Sequence, residues 1–179
     1  MKFPFWFYSL INMIGLVACA QINPNNIDIV RDKYGVPHIF SKTDAELAYG
    51  LAWAHAEDDF KTIQQGYLAG NSLLSDVEGK KALGIDFIAQ FIGSDRLYEQ
   101  KYLSDVSDEY KSILEAYCDG INRFAEIHPE QVLSKKLFPI NTKSLFLYGQ
   151  LQLFVSSKGD YWVKKICLLY TSPSPRDPH

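Results

Sequence analysis

His55, Glu57 and Asp58 are the densest ionisable group in a stretch that otherwise reads as apolar helix, Ala54-His55-Ala56-Glu57-Asp58. Imidazole and carboxylate together are the parts of a metal site or of an acid/base pair. The spacing argues against a metal: helical ligands stand three or four residues apart, only His55 with Asp58 does so, and no second histidine is near. The structural reading gives His55 buried hydrogen bonds and leaves the carboxylates solvated or capping. Arg31 and Asp32 read as an exposed charge pair at a strand end, and His38 as a satisfied core or edge residue of a strand. Gly93-Ser94 has the composition of a junction at which a precursor exposes an N-terminal serine, but it sits inside an apolar helical pattern. The sequence contains no phosphate-binding loop, dinucleotide fingerprint, metalloprotease helix or nucleophile elbow. No catalytic residue is assigned.

The elements that would hold these side chains follow from periodicity. Ile27-Asp28-Ile29-Val30-Arg31 alternates, Tyr34-Gly35 is a turn, and Val36-Pro37-His38-Ile39-Phe40 returns, which predicts a hairpin with Pro37 at an edge or strand start. Thr43 with Glu46 forms a capping box, and Asp44 suits the first turn, so a long helix starts here and stops at Gly70-Asn71. Its stripe is Leu47, Leu51, Ala54, Phe60, Ile63 and Tyr67, and Ala48, Gly50, Ala52, Ala54 and Ala56 give it a second face that admits another backbone. A second helical stretch is expected over about 85–102. Ser107 caps a third helix with stripe Tyr110, Ile113, Leu114, Tyr117, Ile121 and Phe124, ended by Pro129. Thr142 or Ser144 caps a further helix carrying Leu145, Phe146, Leu147 and Leu151. A hairpin followed by packed helices leaves the strands too few neighbours for a stable sheet of their own.

The chain has 179 residues, 47 % of them hydrophobic, which is enough for one packed domain. With 18 basic and 21 acidic residues and a net charge of -3, it has no basic face for phosphates, and nucleic acid is not expected as a partner. Residues 1–20 read as an export signal: Lys2 carries the only charge, and the apolar run ends in Ala18-Cys19-Ala20. Two cleavage readings compete. Leu16-Val17-Ala18-Cys19 as a lipobox makes Cys19 a lipidated first residue, whereas cleavage after Ala20 releases a soluble protein; an uncleaved anchor is the bland third reading. Either cleavage implies a bacterial protein of the periplasm or an outer-membrane lipoprotein. Residues 167–179 have the string of a transposase adapter used in sequencing libraries, from Cys167 to Asp177, so native sequence is expected to run only to about Ile166; the competing reading is a Ser/Pro-rich linker. Cys118 and Cys167 beyond the signal make no disulfide framework.

The stretch Arg31-Asp32-Lys33-Tyr34-Gly35-Val36-Pro37-His38-Ile39, then Thr43-Asp44, Ala48-Tyr49-Gly50-Leu51-Ala52 and Ala54-His55-Ala56-Glu57-Asp58, resembles the opening of the penicillin-acylase (penicillin amidase) family. Ala116-Tyr117-Cys118-Asp119-Gly120-Ile121-Asn122 is similar to the family's helix with a Tyr and a Gly-x-Asn, and Phe138-Pro139 sits where its next segment begins. The resemblance covers most of residues 27–166. It departs at Asp59, where members commonly carry Arg, and loosely matches at Asn71 to Gly79.

The resemblance implies an α+β protein of the N-terminal-nucleophile hydrolase type with a four-layer αββα core, in which this part is mostly helical with a short N-terminal hairpin. It implies a precursor that cleaves itself into a smaller α chain and a larger β chain, residues 21–166 being an incomplete α-chain region. The nucleophile would be the N-terminal Ser of the β chain, activated by its own α-amine, so this chain alone is expected to be inactive. By position in the family, Phe154 is implied as the aromatic residue of the acyl pocket and Asp160 as a carboxylate ligand of a structural calcium, with no catalytic cofactor. The implied substrate is an N-acylated small molecule of the penicillin or acyl-homoserine-lactone type, and the implied partner is the β chain of the same precursor. The competing function is a non-enzymatic exported lipoprotein or binding module.

Overall fold

A computed structural model describes residues 22–159, 161, 164 and 165. The signal segment 1–20, the tail 167–179 and Asp160 lie outside the described residues.

Two short strands, β1 (Asp28–Arg31) and β2 (Pro37–Phe40), pair antiparallel with Arg31 opposite Pro37 and Ile29 opposite Ile39. The turn between them is built by Asp32, whose Oδ1 accepts from the backbone N–H of Tyr34 (2.8 Å) and of Val36 (3.0 Å). Gly35 takes φ +83°, a conformation glycine adopts without a Cβ penalty. Pro37 opens its strand, where its missing N–H breaks no ladder. Among the described residues the sheet has only these two strands, and it leans on the first helix through Ile29 and Ile39.

That helix, α1, runs Asp44–Gly70. Thr43 accepts from the Glu46 N–H (3.2 Å), half of the expected capping box. The other half is redirected: the Glu46 carboxylate accepts from Asn26 Nδ2 (2.8 Å) and the Lys42 N–H (3.2 Å), tying the segment before β1 to the helix start. The helix is also not continuous. Asp59 leaves helical geometry (φ −159°, ψ 74°) and its Oδ1 accepts from the Thr62 N–H (3.0 Å), so it acts as the N-cap of a second helical half.

The buried side of α1 differs from the expected stripe. Leu47 and Leu51 are exposed, whereas Ala48, Gly50, Ala52, Ala54 and Ala56 are buried. Residues two apart point some 200° around a helix from one another, so these small side chains serve two approaches rather than one face. A Cβ on Gly50 would stand 2.8 Å from Ile27 and 2.9 Å from Ile39 of the hairpin side. Ala52 instead meets α5 (Asp108–Ile127) at Gly120, where an added Cβ would lie 2.6 Å from the Tyr49 carbonyl oxygen.

Ser107 caps α5 as predicted, accepting from the Tyr110 N–H (3.3 Å), and the helix stops at Ile127 before the Pro129–Gln131 turn. Ile121, Phe124 and Cys118 carry its buried side, while Tyr110 is exposed. Between α1 and α5 lie α2 (Leu74–Glu78), α3 (Leu83–Ile92) and α4 (Ser94–Asp105). The single stretch expected over 85–102 is therefore two helices, divided at Gly93, whose φ of +70° ends α3 in the left-handed region. The buried Asp86 carboxylate caps α2 from α3, accepting from the N–H of Leu74 (3.0 Å) and of Ser75 (2.9 Å).

The last described helix, α6 (Thr142–Ser156), is capped by Asn141, which accepts from the Ser144 N–H (3.0 Å). Neither Thr142 nor Ser144 does this, because both are already inside the first turn. The core gathers Ala52, Phe60, Leu68, Ile121, Phe124 and Ile140 from α1, α5 and the segment leading to α6. Gln64, fully buried, fastens the loop after α5: its Nε2 donates to the Gln131 carbonyl (3.0 Å) and its Oε1 accepts from the Leu133 N–H (2.8 Å).

Candidate functional site

Arg31 ends β1 with its guanidinium turned to α1. One nitrogen donates to the Gly35 carbonyl (2.9 Å), and another stands 3.2 Å from Glu57 and 2.8 Å from Asp58. This corrects the expected pair with Asp32, which spends its carboxylate on the turn amides. Hydrogen bonds donated to Glu57 and Asp58 push the Arg31 pKa further up, and the backbone donors of Val36 and Tyr34 hold Asp32 below its ordinary value. His38 stands 3.7 Å from Asp32, exposed on the hairpin, an edge residue as expected. Glu57 also accepts from Trp53 Nε1 (2.8 Å), one turn earlier on the same helix. The acidic cluster therefore staples the hairpin to the helix and orients an indole.

His55 makes one hydrogen bond, Nδ1 to the Tyr117 hydroxyl at 3.0 Å. Its side chain is exposed rather than buried as expected, since the ring projects from α1 over the rim of α5. Tyr117 and Tyr67 are held above their ordinary pKa by burial, so both phenols stay protonated. The adjacent Cys118 thiol is pushed up to about 12 by burial and is inert.

The Gly-x-Asn of α5 also has a physical account. Gly120 gives α1 room to approach, and Asn122 clamps the segment after Phe138-Pro139, donating to the Ile140 carbonyl (2.8 Å) and accepting from its N–H (2.7 Å). Tyr148 of α6 lies over two glycines of α1, where Cβ atoms on Gly66 and Gly70 would meet its ring and its backbone.

Phe154 lies near the end of α6, half-buried between the exposed Leu153 and Val155. Its ring packs on Gly159, where any Cβ would collide with it, and its carbonyl accepts from Ser157 Oγ (2.9 Å). Among the described residues, no three His, Cys, Asp or Glu side chains converge as a metal site. Asp160, the implied calcium carboxylate, lies outside the described residues. Ser94 follows Gly93 and is buried at the start of α4.

Spacing alone could not find Gln64 and Asp86, each read as helix surface or core until a partner distant in the chain appears, whereas Trp53 and Glu57 stand four residues apart, a spacing that does show in the sequence.

The penicillin amidase family model matches residues 26–154. Penicillin G acylase of Escherichia coli is 30 % identical over 132 residues, covering 72 % of this chain and 15 % of that protein. Acyl-homoserine lactone acylase QuiP of Pseudomonas putida is 24 % identical over 133 residues, covering 65 % of this chain and 16 % of its own length. The chain thus spans about one sixth of the curated relatives it matches. Among solved structures, a thermostable penicillin G acylase from Alcaligenes faecalis aligns with a TM-score of 0.60 at 20 % identity, covering 80 % of this chain and 79 % of that chain, which shows a shared fold. With the Arg31 staple, the Gly120 contact and the Asn122 clamp inside the matched region, the chain belongs to the penicillin amidase family.

Proposed function

We propose that this chain is the α-chain part of an exported amidohydrolase that cleaves the amide of N-acylated small molecules, either penicillin side chains or acyl-homoserine lactones. The observation that carries the reading is the family match across residues 26–154, within which Arg31 holds the hairpin on α1 and Gly120 lets α1 approach α5. The nucleophile would be a serine at the start of the β chain, exposed when the precursor cleaves itself. Its own α-amine, titrating near neutrality, would take the hydroxyl proton directly or through water, and β-chain groups would stabilise the oxyanion. Residues 1–20 would direct export to the periplasm or to the outer membrane as a lipoprotein.

Within this proposal Phe154 would present an aromatic wall to the acyl group, from the only half-buried position in its helical turn. Asp160 would contribute one carboxylate to a structural calcium whose other oxygen ligands come from the β chain. Substituting Asp160→Ala in a complete precursor and measuring bound calcium tests this; an unchanged calcium content retires the role. For the activity, the complete precursor should hydrolyse a chromogenic phenylacetyl or acyl amide, and the 179-residue chain should not. Turnover by the 179-residue chain, or a complete gene product that neither processes itself nor turns over, sinks the reading.

A further inference from the structure

A hollow of about 320 Å³ opens between the hairpin side, α1 and α5, well apart in sequence from Phe154 and Asp160. Ile27, Ile29 and Gly50 line it, and the missing side chain at Gly50 lets Ile27 and Ile39 pack directly on α1, where a Cβ would stand 2.8 and 2.9 Å from them. The Trp53 indole also lines the hollow. It is fixed from both sides: Nε1 donates to Glu57, itself held by Arg31, and the ring meets Phe124 edge-on at 5.3 Å between centroids. The apolar part of the hollow is therefore pre-shaped.

Its polar groups come from Tyr49 and Arg123. The Tyr49 hydroxyl has no hydrogen-bond partner among the described residues, and burial raises its pKa, so it remains a donor at neutral pH. Arg123 donates one nitrogen to Glu126 (3.0 Å) in an exposed i,i+3 pair, a contact of small worth that leaves other guanidinium N–H groups to a ligand. Asp119 and Glu126 are the carboxylates that act on Tyr49, and Arg123 is the cation that opposes them. A predominantly apolar hollow with a few polar groups is the usual anatomy of a small-molecule site, and this volume is at the lower end of that range.

We propose that this groove binds an amphipathic monocarboxylate, its alkyl or aryl body lying between Trp53 and the two isoleucines and its carboxylate taking hydrogen bonds from Arg123 and Tyr49. A neutral apolar molecule would leave both donors unused. The site is independent of the acylase reading, since binding needs no nucleophile and no turnover.

The test uses the full chain with Trp6→Phe and Trp162→Phe, so that fluorescence reports Trp53 alone. Sodium octanoate and phenylacetate are titrated, with 1-octanol as the uncharged counterpart. The expected result is a saturable change with at least one of the two acids, weakened about tenfold by Arg123→Met through loss of a charge-assisted bond, with octanol changed less than about twofold. Tyr49→Phe, which removes only the hydroxyl, should weaken the acid by about three- to tenfold. Far-UV circular dichroism should show both variants folded, as their positions are half-buried or exposed. The proposal is overturned if neither acid saturates, or if Arg123→Met binds the acid as tightly as the parent does.

Discussion

Arg31 shows how one side chain can tie a hairpin to the helix that follows it. It holds its own turn through Gly35 and reaches the helix through Glu57 and Asp58, and Glu57 in turn holds Trp53. Residue type and spacing made this cluster visible, but not its direction, since Arg31 and its carboxylates lie 26 residues or more apart and a neighbouring Asp32 offered a nearer partner. Asp32 carries a prediction of its own. Its carboxylate accepts two turn amides, so its pKa in the folded hairpin lies below the ordinary 3.8. A depressed carboxylate stabilises the fold above its unfolded pKa, and that contribution disappears as the pH falls through the lower folded value. Acidification below about pH 4 should therefore release the amides of Tyr34 and Val36 before those of α5. Hydrogen exchange read by mass spectrometry across residues 28–40 checks it. In Asp32→Asn, which keeps a neutral acceptor, the hairpin's exchange should lose most of that pH dependence; an equally steep profile removes Asp32 as the cause.

At the scale of elements, the readable part was what depends on neighbours a few residues away. The Thr43 and Ser107 caps, the Gly35 turn, Pro37 at a strand start and the stop at Asn71 are local chemistry, and all appear where expected. What escaped is what distant contacts decide. The Glu46 carboxylate leaves its cap for Asn26, Asp59 breaks α1 by capping its second half, and the buried side of α1 is its alanines because α5 and the hairpin come too close for leucine. The same closeness sets a test. Gly120→Ala would place a methyl 2.6 Å from the Tyr49 carbonyl and 2.8 Å from Ala52, both on a packed helix that cannot yield without moving. The expected loss is about 1–3 kcal/mol, the usual cost of overpacking, read as a lower urea midpoint with an unchanged m-value. A midpoint equal to the parent's would mean that α1 and α5 separate more easily than their contact implies. Gly84→Ala is the control, as nothing lies within 4 Å of its added carbon.

The molecule as a whole exposes apolar surface on a helix that pattern alone would bury. In α3, Leu83, Phe87 and Phe91 recur every four residues and are 54 %, 67 % and 66 % exposed, with the two phenyl rings stacked at 6.2 Å. Aromatic side chains about two-thirds exposed add little to stability in this state, yet they offer a continuous apolar strip of the kind seen at contact surfaces. This separates two effects that usually travel together. Phe87→Ser with Phe91→Ser should leave the urea midpoint within about 0.5 kcal/mol of the parent, because exposed positions contribute little to folding. The same pair should markedly lower the binding of an environment-sensitive apolar dye and the tendency of the chain to self-associate in light scattering. A large fall in stability would show that the rings are packed in solution, and unchanged dye binding would place the sticky surface elsewhere, with Leu47 and Leu51 on α1 the next candidates to replace.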